Sequence, residues 1–141
     1  MKPQKKFYQL TLINLTLLIF VICFGAYVRM TGSGAGCGSH WPLCNGVIIP
    51  KAPALKTIIE FSHRLTSGLL LILSLVLCYK SIKRYPSKHL IRRLCFAYLF
   101  FLIIEAFIGA SLVLLKHVAL NQSIYRGFSV SLHLINVWII T

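Results

Sequence analysis

The 141 residues are 57% hydrophobic and 12% charged, with a mean hydropathy of +0.80. A soluble domain of this size cannot hide so much apolar surface, so lipid is the expected solvent and a water-soluble fold is excluded. Fifteen Lys and Arg face only two acids, Glu60 and Glu105, for a net charge of +13. The bases gather at the ends of the apolar runs, with no basic stripe interleaved with aromatics, which excludes nucleic acid as a partner.

A spanning helix needs about 20 apolar residues, and the sequence predicts four spans, at about 8–28, 57–78, 94–115 and 127–141. The first follows Lys2, Lys5 and Lys6. Its apolar run is too long for a signal peptide, and the small residues after it form a motif of their own, so it reads as a span. Lys80, Lys83, Arg84, Lys88, Arg92 and Arg93 crowd the connection between spans two and three. Positive-inside counting puts this loop and the N-terminus in the cytoplasm, so residues 29–56 and 116–126 face the exterior.

The outer loop 29–56 is rich in Gly and Pro and has no helical period. Gly32, Gly34, Gly36 and Gly38 alternate with other residues, which predicts tight positive-φ turns rather than a phosphate cradle, since no strand precedes them. Cys37 and Cys44 lie in this loop. A disulfide there stabilises by about 2–3 kcal/mol; a zinc site finds too few ligands beside a single His40; a working redox pair is the third alternative. Cys23, Cys78 and Cys95 fall in or at the ends of spans and read as small buried hydrophobes.

Span two opens with Ile59-Glu60-Phe61-Ser62-His63-Arg64. A carboxylate, an imidazole and a guanidinium are costly at the edge of a bilayer, which points to a site. Glu60 is related to His63 as i, i+3 and to Arg64 as i, i+4, so the three share a helix face. Either Glu60 and Arg64 merely neutralise each other, or Glu60 serves a ligand as proton carrier or as stabiliser of developing positive charge. Glu105, near the middle of span three, is open in the same way. It is a functional acid, or a protonated carboxyl bonded to a neighbouring helix that Gly109 and Ala110 allow to approach.

Span four contains His133. Spans two and four run in the same direction, and His63 and His133 lie equally far into them, about 9 Å below the outer edge of the hydrocarbon. Two imidazoles at one depth can grip a heme iron from both faces. The 15 residues of the fourth span, 127–141, reach only about 22 Å against a hydrocarbon core of about 30 Å, so the chain is expected to continue beyond Thr141. Arg29, Arg64 and Arg126 map to the outer boundary, against the positive-inside bias. They either snorkel to the interface or clamp an anion such as a heme propionate. His40, His89 and His117 lie in loops and carry no assigned role.

Together these residues resemble the heme A synthase family of membrane oxidases. The strings that carry the resemblance are Gly25-Ala26-Tyr27-Val28-Arg29, Thr31-Gly32-Ser33-Gly34, Cys37, Trp41-Pro42-Leu43-Cys44-Asn45-Gly46, Glu60-Phe61-Ser62-His63-Arg64 and Leu132-His133-Leu134. The resemblance covers essentially the whole chain. It implies an all-α integral membrane protein in which residues 1–141 form the N-terminal four-helix bundle, one half of an eight-helix, two-bundle arrangement. It also implies oxidation of the C8 methyl of heme O to the formyl group of heme A. His63 and His133 are then the axial ligands of the substrate heme and Glu60 the catalytic carboxylate, with Arg29, Arg64 and Arg126 as partners of its propionates. Heme b belongs to the C-terminal bundle. The cysteine pair matches a bacterial branch in which it is linked to disulfide chemistry. That branch implies the bacterial plasma membrane as location, and heme O synthase and cytochrome oxidase assembly proteins as partners. Half-sized relatives imply homo-oligomer formation as an alternative to a second bundle. Two other readings stand beside the enzyme: a b-type bis-histidine cytochrome that only moves electrons, and a heme-delivery protein without catalysis.

Overall fold

The structure, a computed structural model, describes residues 2–51, 53–118 and 121–141. It contains four helices, α1 (Lys2–Met30), α2 (Leu55–Arg84), α3 (Leu90–Leu114) and α4 (Ile124–Ile140). The first three are long and apolar enough to cross a membrane, and α4 is shorter. Its 17 residues reach about 26 Å at the usual helical rise.

The helix ends follow from local chemistry. α2 runs beyond the apolar stretch because Lys83 and Arg84 in its last turn suit the negative end of the helix dipole. It stops at Tyr85, which is extended (φ −121°, ψ 141°) because Pro86 disfavours helical geometry in the residue before it. The His89 side chain then accepts the Ile91 N–H to cap α3. Ser123 caps α4 in the same manner, accepting from the Arg126 N–H.

Consecutive helices pack as antiparallel neighbours, α1 on α2, α2 on α3 and α3 on α4. Contacts at matching levels show the direction. Phe7 meets Tyr85 and Phe24 meets His63 between α1 and α2, Cys78 bonds the Cys95 carbonyl between α2 and α3, and Asn136 bonds Phe101 and Glu105 between α4 and α3. α2 and α4 therefore run in one direction, as the sequence predicts.

The apolar centre is a cluster of Leu18, Leu70 and Leu102, one from each of the first three helices, with Leu17, Val21, Ile22, Leu71, Tyr98 and Ile140 around it. Beside it lies a polar junction. The Asn14 side-chain oxygen accepts from Tyr98 Oη at 2.7 Å and from Ser74 Oγ at 3.2 Å, which ties α1, α2 and α3 together. Such interhelical bonds hold helices together in lipid, where apolar contact alone gives no preference for protein over solvent. The outer surface shows the complementary pattern: Ile13, Phe20, Ile72, Phe100, Phe107 and Trp138 are exposed, as in a bundle bathed in acyl chains. The four helices make an integral membrane bundle.

One end of the bundle bears the basic connection between α2 and α3. The other bears the 31–54 loop and is called the disulfide end below. The loop corrects one expectation. Positive φ occurs at Gly32 (61°), Gly38 (63°), Gly46 (81°) and Asn45 (53°), but not at Gly34 or Gly36. Gly36 is needed for space: a Cβ there would lie 2.3 Å from the Lys56 carbonyl oxygen and 2.7 Å from the Thr57 nitrogen. Its own carbonyl accepts from Thr57 Oγ1 at 2.7 Å. The loop backbone is thus pressed directly onto the first turn of α2.

Candidate functional site

The loop is a folded cap. Cys37 and Cys44 are joined in a disulfide with Cα atoms 4.4 Å apart, and both are buried, at 0% and 1% exposure. Asn45 N–H bonds the Cys37 carbonyl and Cys44 N–H bonds that of Val47. The disulfide alternative therefore holds, with its sulfurs enclosed rather than presented at the surface.

Glu60 and Arg64 fasten this cap to α2. Glu60, 3% exposed, accepts the Cys37 backbone N–H on Oε2 at 2.7 Å and Arg64 Nη2 on Oε1 at 2.5 Å. Arg64 Nη1 in turn donates to the carbonyls of His40 and Leu43, each at 2.7 Å. A buried ion pair persists when its remaining hydrogen-bonding capacity is also met, as it is here on both partners. The i, i+4 pairing read from the sequence is present, but it faces the loop. His40 takes part only through its backbone.

His63 projects from α2 towards α1. Its ring stands edge-on to Phe24, with centroids 5.7 Å apart. A Cβ on Gly25 would come within 3.2 Å of its Cε1. His133 projects from α4 towards α3 and lies beside Gly109, where a Cβ would make ordinary contact with its Cε1 at 3.9 Å. Its Nδ1 lies 3.1 Å from Glu105 Oε1, yet the approach is too oblique for a hydrogen bond, and Nδ1 is left without a partner. Nδ1 of His63 is likewise enclosed and unpartnered. Gly25, which meets the His63 ring, lies one helical turn from Arg29 on α1, so that imidazole and that guanidinium belong to the same end of the bundle.

The three arginines differ. Arg64 is committed to the loop. Arg126 Nη1 donates to the Asn121 carbonyl at 2.8 Å and so closes the α3–α4 connection. The exposed Arg29 guanidinium bonds no described residue, which leaves it the freest of the three for an anion.

Two residues near His133 gain a setting that the sequence left open. The Asn136 amide donates to Glu105 Oε2 at 2.8 Å and to the Phe101 carbonyl at 2.9 Å. Glu105 is therefore bonded to a neighbouring helix, and it also adjoins a candidate ligand. The available signal was spacing: Asn136 follows His133 by three residues and Gly109 follows Glu105 by four, so each pair shares a helix face. Which faces meet depends on the packing.

Among the described residues no group of three or more His, Cys, Asp or Glu could hold a metal ion by itself. An axial pair on a heme needs only two protein ligands. The residues fit that group: no described residue hydrogen-bonds the Nε2 of either ring, which leaves that nitrogen for iron.

Comparison with known proteins decides the family. The sequence matches the COX15-CtaA family, described as cytochrome oxidase assembly protein, over residues 8–141. The chain belongs to this family. Within 120 residues it is 48% identical to a protoheme IX farnesyltransferase of Thermus thermophilus, which covers 85% of this chain and 20% of that protein. Over 112 residues it is 42% identical to heme A synthases of Bacillus cereus and Bacillus anthracis, covering 79% of this chain and 36% of each. The chain thus spans only a fifth to about a third of the length of these relatives. No solved structure matches it. Membership of the COX15-CtaA family accords with a membrane bundle, and the motifs at the disulfide end lie inside the matched region.

Proposed function

We propose that this chain is the substrate-binding half of a heme A synthase, holding heme O between α2 and α4 while its C8 methyl is oxidised. The observation that carries this reading is the pair of half-buried imidazoles, His63 on α2 and His133 on α4, neither of which hydrogen-bonds a described residue through its ring. His63 and His133 would hold the iron. Arg29 would pair with a propionate, with Arg64 and Arg126 at the same boundary. The methyl would be oxidised in two two-electron steps, with an oxidant such as dioxygen taking the electrons in each, to an alcohol and then a hydrated aldehyde, which loses water.

Glu60 is the catalytic carboxylate in this reading. It lies one turn from His63 and carries a negative charge against positive charge developing on the substrate carbon. The loop it fastens closes that end of the bundle and keeps bulk water from the reacting edge. The N-terminus and the basic connection face the cytoplasm of a bacterial plasma membrane, and the disulfide loop faces the oxidising side. A second bundle with heme b would supply the electron path. Heme O synthase and oxidase assembly proteins would be its partners, and self-association takes the place of a second bundle if there is none.

A second reading, a bis-histidine electron carrier, is favoured by one observation: both Glu60 oxygens already have partners, Cys37 and Arg64. Co-expression of the complete gene product with a heme O synthase, followed by analysis of extracted hemes, separates the two. Heme A or its hydroxylated intermediate is expected. A folded, heme-loaded protein that yields neither removes the synthase reading.

A further inference from the structure

The second acid of the chain has a place in the same site. Glu105 Oε2 is fixed by the Asn136 amide, which also bonds the Phe101 carbonyl and so braces the carboxylate from both helices. The other oxygen, Oε1, lies 3.1 Å from His133 Nδ1, a hydrogen-bond distance at which only alignment is missing. Gly109, one turn along α3, lies beside that ring. His63 has no such support. Its Nδ1 is enclosed and unpartnered, and the acid on its own helix, Glu60, is turned to the loop.

We infer that Glu105 is the positioning residue for His133: it accepts the Nδ1 proton, sets the ring's orientation and leaves the Nε2 lone pair for iron. A carboxylate on the far nitrogen of a ligating imidazole fixes its tautomer and increases its basicity, and loss of such a partner commonly weakens binding about 10–100-fold. The assignment rests on ligation of heme by His133. The two histidines would then hold the iron unequally, His133 braced by a carboxylate and His63 without such support.

The test uses the full-length gene product, purified with heme, and three substitutions. Glu105→Leu removes the acceptor at similar bulk and is expected to weaken heme retention at this site by about 10–100-fold. Glu105→Gln keeps an acceptor oxygen without the charge. It is expected to retain heme with its low-spin spectrum but to raise the reduction potential, a change that a packing role does not produce. His133→Ala is the reference and should abolish the low-spin signal of this heme. If His133→Ala leaves that signal intact, the ligation reading itself fails. If His133→Ala abolishes it while Glu105→Gln leaves the potential unchanged, or Glu105→Leu leaves retention unchanged, only the positioning role is overturned.

Discussion

The Glu60 carboxylate accepts the backbone N–H of Cys37 at 2.7 Å, across 23 residues of sequence. With Arg64 on its other oxygen, it couples the disulfide loop to the helix that carries His63. Removing one member of such a buried pair costs about 3–5 kcal/mol, because the partner is left uncompensated. Glu60→Ala should therefore lower the melting temperature in detergent, and Glu60→Leu combined with Arg64→Leu should recover part of the loss. A single variant that melts with the wild type removes the anchoring role.

Gly36→Ala tests the same contact from the loop side. The new Cβ would meet the Lys56 carbonyl oxygen at 2.3 Å, and a backbone group cannot swing aside as a side chain does. A cost of about 1–3 kcal/mol is expected, read as faster reduction and alkylation of Cys37 and Cys44 than in the wild type. Equal rates in the two proteins contradict the close packing of loop on helix.

Gly25→Ala should separate stability from ligand geometry. In mid-helix the change favours the helix by roughly 1 kcal/mol, yet its Cβ lies 3.2 Å from His63 Cε1. The variant is expected to melt no lower than the wild type while retaining heme less well, and Gly25→Leu should displace the ring outright. Unaltered heme spectra in Gly25→Leu place His63 outside the site.

Arg29→Lys and Arg126→Lys should differ. Arg29 bonds no described residue, whereas Arg126 closes a loop through the Asn121 carbonyl. A lysine cannot match the bidentate geometry of a guanidinium on a carboxylate, so Arg29→Lys is expected to lower heme retention about tenfold, and Arg126→Lys to change it little. Equal, mild effects in heme titrations favour snorkelling for both.

Much of the architecture was legible because it rests on local chemistry. Runs of apolar residues and the basic residues around Lys83 locate all four helices, though the ends of α1 and α2 extend up to six residues beyond the apolar runs. The i, i+4 pair of Glu60 and Arg64 is equally local. The loop was less legible. Alternating glycines suggest one role for all four, whereas Gly32 and Gly38 supply positive φ and Gly36 supplies a close approach.

The sequence by itself determined the apolar character, the four helices and the presence of two histidines and two acids within the apolar runs, since hydropathy and helical period need no partner. Only the tertiary structure decided what each acid touches. Glu60 turns to the backbone of a distant loop, and Glu105 meets His133 and Asn136 of the next helix. Those contacts depend on which helix faces pack together and how the loop folds back, and neither is written in the spacing of residues along one segment.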